Sequence, residues 1–263
     1  MPTLEARGVE IAWSERGDGS PVLLIHETAA MGAIWEPVAG SVSERCRAIF
    51  YDRRGWGRSS APEDYRRTTV EEQSEDAVAL IERVAGEPTV VCGASLGAVI
   101  GLDLLLRRAD AVSAAVLIEP PLLQLLPVAT QALSDDRRRL EGAAATGDDV
   151  IELYLSGGLP ALGAGVGRLP ESMATAARER PWSVMAELGI ASGWRAPPSR
   201  LAAAERPSAI VTAASTPPLL RDASTALAGR LARSSSREVD SGARAPHMGA
   251  AEQVATLLLE LSR

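Results

Sequence analysis

The chain has 263 residues, enough for one large domain with its own core. Hydrophobic residues make up 46% and aromatics only 3%, so that core has to be aliphatic, built from Leu, Val, Ile and Ala. The formal net charge is -7 and every strong base is an arginine. The broad basic field that nucleic-acid binding requires is missing, and a small, neutral or modestly charged molecule is the expected partner.

The first residues, MPTLEARGVE, carry charge where a signal peptide needs an apolar core, and no apolar run approaches the ~20 residues of a membrane span. A soluble, cytoplasmic protein is expected, with no membrane partner and its oligomeric state open. VEIAWSERG, PVLLIH and CRAIFYD read as three strands. A helix is expected from about Val70 to Val84, because Val70, Ala77, Leu80, Ile81 and Val84 share one face and glutamates occupy the other. TVVCGAS follows as a strand, then a helix to about Arg108, then the strand SAAVLIEPP. This alternation predicts an α/β fold, a mostly parallel sheet flanked by helices on both faces.

From Pro121 to Arg206 the rhythm breaks. Helical pieces such as DDVIELYL and PWSVMAELGI are separated by the Gly-rich and Pro-rich joints SGGLPALGAGVGRLP and RAPPSR. Residues 121–206 are therefore expected to form an inserted helical cap on a core made of 1–120 and 207–263. Strand chemistry returns at PSAIVTAAS, followed by a helix through LLRDASTALAGRLA, a short strand at SREVD and a last helix at AAEQVATLLLELS. Cys46 and Cys92 each fall on a predicted strand, which suits buried small hydrophobes better than metal ligands or a disulfide framework.

The stretch TVVCGASLGAVIG sets Ser95 between Gly93 and Gly97, after a strand and before a helix. Such a spacing has a mechanical use. The serine is carried through a tight turn that leaves its hydroxyl exposed, and the flanking glycines let strand and helix approach closely. The helix N-terminus also favours negative charge developing beside Ser95.

With this elbow in place, nearly the whole chain resembles the α/β-hydrolase fold family of serine hydrolases. LLIHETAA matches the family's oxyanion loop, YDRRGWGRS its Asp-x-Arg-Gly-x-Gly-x-Ser loop, CGASLGA its nucleophile elbow and GARAPHMGA its histidine loop. The resemblance implies Ser95 as nucleophile and His247 as base, since His247 alone of the two histidines follows Ser95. It implies the backbone N–H groups of Thr28 and Leu96 as oxyanion donors, with His26 a side chain that holds the loop. Asp52, Arg53 and Arg54 take turn and ion-pair duties.

Two positions depart from the family pattern. Glu27 stands where glycine is usual, and an outward-facing carboxylate is expected there because an unpaired glutamate is rarely buried. After the penultimate strand, AIVTAASTPPLL has Ser215 and Thr216 where the family commonly has an aspartate. Glu119, at the end of the preceding strand, is the leading candidate for the acid, with Asp222, Asp240 or a Ser-His dyad as alternatives.

His26, Glu27, Leu122, Trp182 and Trp194 are the expected substrate contacts, the last three lining an apolar pocket under the cap. The implied reaction is hydrolysis of a small, partly apolar ester, thioester or lactone through a Ser95 acyl-enzyme. A lyase or cyclase on the same fold and an inactive ligand-binding protein are the alternatives. No metal or nucleotide cofactor is expected: the sequence has no His or Cys pair at ligand spacing and no Gly-rich phosphate loop.

Overall fold

The computed structural model describes residues 1–146, 149–161, 170–242 and 245–262. Eight strands form one sheet: β1 (Thr3–Ala6), β2 (Val9–Arg16), β3 (Ser20–Ile25), β4 (Cys46–Tyr51), β5 (Thr89–Ala94), β6 (Val112–Ile118), β7 (Ser208–Ala213) and β8 (Ser234–Val239). Their order is β1-β2-β4-β3-β5-β6-β7-β8. The pairs β1/β2 and β2/β4 are antiparallel and all others parallel. Strand β1 is additional to the strands read from the sequence. It pairs with β2 through a two-residue turn at Arg7 and Gly8, whose φ of 48° and 79° suit a tight hairpin. An Arg-Gly pair is a weak hairpin signal, which is why the strand was illegible.

Helices α1 (Glu36–Val42), α2 (Val70–Leu80) and α3 (Leu96–Arg107) follow β3, β4 and β5. Between β6 and β7 the described residues hold only helices: α4 (Thr130–Thr146), α5 (Val150–Leu155), α6 (Glu171–Glu179), α7 (Pro181–Glu187), α8 (Ile190–Gly193) and α9 (Pro198–Ala202), with short 3-10 turns before α4. Helices α10 (Pro218–Ala228), α11 (Pro246–Gly249) and α12 (Ala251–Leu261) complete the chain. The expected helix at Val70 is started by Thr69, whose side chain accepts the Glu72 N–H. Among these helices α4 is the longest, yet its polar run SDDRRR hid it from the sequence reading.

Both faces of the sheet are buried. Leu23, Ile25, Val91 and Leu117 pack on one side with α2 and α3, while Val22, Leu24, Cys92 and Val116 pack on the other with α1 and α12. Alternation within continuous apolar runs thus serves two helix layers at once. Cys46 and Cys92 are buried free thiols, as expected. No helix among the described residues is long and apolar enough to cross a membrane.

The chain leaves β3 toward β4 on one side, whereas β5 lies on its other side. Loops after β3 and β5 therefore diverge, opening a crevice at the carboxyl ends of the strands, where ligands bind in open α/β sheets. Register brings the predicted residues to this edge. Ile25 pairs with Gly93, Ala94 with Ile118, and Ile118 with Val211, so Glu27, Ser95 and Glu119 each follow a strand end at the same level. Helices of the 121–206 segment reach the same edge, where Ile151, Tyr154, Ala177 and Val184 share a buried cluster with Ala29 and Trp56.

Candidate active site

Ser95 has φ 50° and ψ −115°, a conformation that side-chain-bearing residues rarely adopt. Of the five non-glycine residues with positive φ among the described residues, three, Ala29, Ser95 and Glu119, lie at this one edge of the sheet. The Ser95 N–H donates to Ile118 O at 2.9 Å and its carbonyl accepts from Ala98 at 3.0 Å, which fixes the turn. Both flanking glycines are required. A Cβ on Gly93 would sit 2.1 Å from Gly97 O, and one on Gly97 would sit 2.2 Å from Ile25 O. Gly97 therefore brings the first turn of α3 against the end of β3, alongside the loop that carries Thr28. Leu96 is the first residue of α3, where the amides have no partner within the helix. Ser95 and Thr28 are half-buried within otherwise closed surroundings.

His26 is fully enclosed and both ring nitrogens are occupied by backbone. Nε2 accepts the Arg53 N–H at 2.9 Å and Nδ1 lies 2.7 Å from Glu27 O, which fixes the neutral tautomer with the proton on Nδ1. Burial, with the Arg53 guanidinium second, holds its pKa well below the usual histidine range. The ring is a strut of the loop, and neither nitrogen is left over for the substrate contact also expected of it.

Glu27 does not face solvent. It is 5% exposed, and its Oε1 lies 3.1 Å from Nε2 of the His247 ring. The turn from Glu27 to Ala30, closed by the Ala30 N–H on Glu27 O and by the positive φ of Ala29, directs the side chain inward. The general rule that unpaired carboxylates stay outside is overridden here by loop geometry. His247 stands on α11, 1% exposed, with the Trp35 ring 4.8 Å from its own. The Glu27 contact lies off the line of an N–H···O bond: neither ring nitrogen has a hydrogen-bond partner among the described residues, nor has Glu27 Oε2. Burial, followed by the Glu187 and Glu27 carboxylates, pushes the pKa of the Tyr154 phenol of α5 upward.

Glu119 is buried and follows β6 directly. Its Oε1 accepts the Thr216 hydroxyl at 2.5 Å, and Thr216 Oγ1 in turn accepts the Ala213 N–H at 2.7 Å. One carboxylate oxygen thus ties β6 to the turn after β7, where an aspartate had been sought. Asp222 and Asp240 are both exposed, and Asp240 is engaged with the Gly242 N–H.

Leu122 is buried in the same cluster as Leu96, beside the elbow. The two tryptophans stand elsewhere than expected. Trp194 is a core residue whose indole N–H donates to Asp103 Oδ1 at 3.0 Å. Asp103 lies eight residues along from Ser95, or ~12 Å of helix rise, so the indole tip is far from the hydroxyl. Trp182 is 63% exposed, with the Arg66 guanidinium 5.6 Å over its ring. Helix α7 turns Ser183, Val184 and Glu187 inward and leaves Trp182 outside.

Glu187 was not legible as a site residue, because nothing in PWSVMAELGI marks its partner. It accepts from Arg53 Nη1 and Nη2 at 2.7 and 3.0 Å and from Trp56 Nε1 at 2.8 Å. Arg53 Nε also donates to His26 O at 2.9 Å. The 121–206 segment is thereby bonded, through one guanidinium, to the loop that carries Glu27 and Thr28. In the neighbouring positions, Arg54 forms a bidentate pair with Asp76, and Asp52 accepts the Gly32 and Arg58 N–H groups.

Residues 22–257 match the model of the alpha/beta hydrolase family. The chain belongs to that family. It is 37% identical over 124 residues to the "uncharacterized hydrolase YraK" of Bacillus subtilis (strain 168), a match covering 47% of this chain and 46% of that protein. The aligned stretch spans about half of that relative's length. Among solved structures, an alpha/beta hydrolase from Sphaerobacter thermophilus DSM 20745 superposes with TM-score 0.77 at 24% identity over 100% of both chains. A thermophilic esterase from Thermogutta terrifontis superposes with TM-score 0.74 at 20% identity over 98% of this chain and 95% of that one. At these identities the structural likeness speaks for the fold.

Proposed function

We propose that the protein hydrolyses a small, partly apolar carboxylic ester, thioester or lactone, with Ser95 as nucleophile. The observation that carries this reading is the Ser95 backbone: a positive-φ serine, braced by two glycines that admit no side chain, at the N-terminus of a helix. Strain of this kind persists only where its surroundings enforce it. Ser95 Oγ attacks the carbonyl carbon while its proton passes to His247, and the resulting oxyanion is met by the N–H groups of Thr28 and Leu96. Collapse breaks the bond to the leaving group, which takes the proton from His247. Water, deprotonated by the same ring, then releases the acid and restores Ser95.

Glu119 is the proposed acid, its carboxylate offsetting the charge of the imidazolium formed during attack. A small molecule is the proposed partner, and the aliphatic Leu122 and Leu96 favour an apolar portion in it.

A fluorophosphonate probe tests the nucleophile directly. Labelling of the wild type at Ser95, with none in a folded Ser95→Ala variant, is expected, as is loss of p-nitrophenyl ester turnover in that variant. A folded wild-type protein that the probe leaves unmodified would remove the reading and favour a ligand-binding protein.

A further inference from the structure

Glu27 is the feature of the site that simple ester hydrolysis does not use. A negative side chain one residue before Thr28 opposes an oxyanion held by the Thr28 amide, because consecutive Cα atoms lie only about 3.8 Å apart. The carboxylate does not face solvent, the residue being 5% exposed. Among the described residues no arginine pairs with it in the way Arg53 pairs with Glu187. Its Oε1 has the His247 ring beside it, off the hydrogen-bond line, and its Oε2 is buried with no donor among the described residues. A buried carboxylate oxygen without a donor is costly, and a ligand that supplies one gains what the empty site lacks.

We propose that Glu27 Oε2 selects substrates bearing a hydrogen-bond donor, a hydroxyl or an ammonium, on the carbon next to the scissile carbonyl. The inference rests on the Ser95 acyl-transfer reading and specifies its substrate class. The α-carbon is bonded directly to the carbonyl carbon, so a group on it stands close to the oxyanion and to the loop that carries Glu27 and Thr28. The donor satisfies the carboxylate and spreads its charge, which lessens the opposition to the oxyanion.

The test is a matched set of methyl esters, butyrate, 2-hydroxybutyrate and 2-aminobutyrate, each kcat/KM divided by that ester's rate of alkaline hydrolysis. Wild type is expected to favour at least one donor-bearing ester over butyrate by about tenfold or more. In Glu27→Ala the preference falls to within about twofold. Glu27→Gln separates the two donors, since its amide oxygen still accepts from a hydroxyl but no longer attracts an ammonium. It also serves as the deciding variant should Glu27→Ala fail to fold. Equal use of the three esters, turnover of none of them, or a preference that survives loss of the carboxylate overturns the inference. Fluorophosphonate labelling keeps the two readings apart: Ser95 labelled without any donor preference removes this inference alone, whereas absent labelling removes the acyl-transfer reading beneath it.

Discussion

Glu187 and Glu27 are buried alike, 3% and 5% exposed, and differ in what meets them. Glu187 is met by both arms of Arg53, by the Trp56 indole and by Gln73 Nε2 at 3.2 Å. Glu27 has the edge contact with His247 and an Oε2 without a donor among the described residues. A carboxylate whose lone pairs are all engaged at short distance can only hold structure, because nothing is left over for a ligand. One left open beside a half-buried serine keeps its hydrogen-bonding capacity for what enters the site. Satisfaction, more than burial, separates the strut from the contact group.

The largest effect is expected at the satisfied carboxylate. Glu187→Ala leaves Arg53 charged and unpaired in the interior, which costs about 3–5 kcal/mol. Thermal unfolding should move down by roughly 6–20 °C for a chain of this size. A shift of less than about 2 °C would show that the pair contributes little and erase the contrast with Glu27.

Next is Glu119, whose Oε1 accepts the Thr216 hydroxyl. Glu119→Gln keeps an acceptor for that hydroxyl but removes the charge, so turnover should fall at least ~10²-fold with little change in KM or unfolding temperature. Activity within about threefold of wild type would reduce Glu119 to a tie between β6 and the turn after β7.

His26 sharpens the comparison through pH. Its folded pKa is lowered, so the folded protein holds the ring neutral while the unfolded chain takes up a proton below about 6.5. The unfolded state then binds more protons, and stability declines as pH falls through that value, by up to ~1.4 kcal/mol per pH unit. Urea unfolding of wild type and His26→Asn between pH 7.5 and 5 should differ in slope by about one proton, and parallel curves would contradict it.

The smallest effect is predicted at the open carboxylate. Glu27→Gln relieves an incompletely solvated charge and should leave stability unchanged or raise it by up to about 1 kcal/mol. A loss of more than about 1 kcal/mol in urea unfolding would mean that Glu27, like Glu187, is a strut.

Local pattern carried much of the molecule. Apolar runs announced β3 through β7 because these strands are buried on both faces, and Gly93-x-Ser95-x-Gly97 announced the elbow because only glycine fits where strand, helix and loop cross. Cys46 and Cys92 were readable as core for the same reason. Tertiary contacts decided the rest. The inward turn of Glu27, the Glu187 partner of Arg53 from 134 residues away, the Trp35 ring against His247 and the placing of Trp182 and Trp194 depend on which faces meet after folding. A sequence records each residue's preference for water or core, which is local. Which donor meets which acceptor is settled only when distant segments pack, and in this protein that pairing distinguishes a buried charge that holds the loop from one left open in the candidate site.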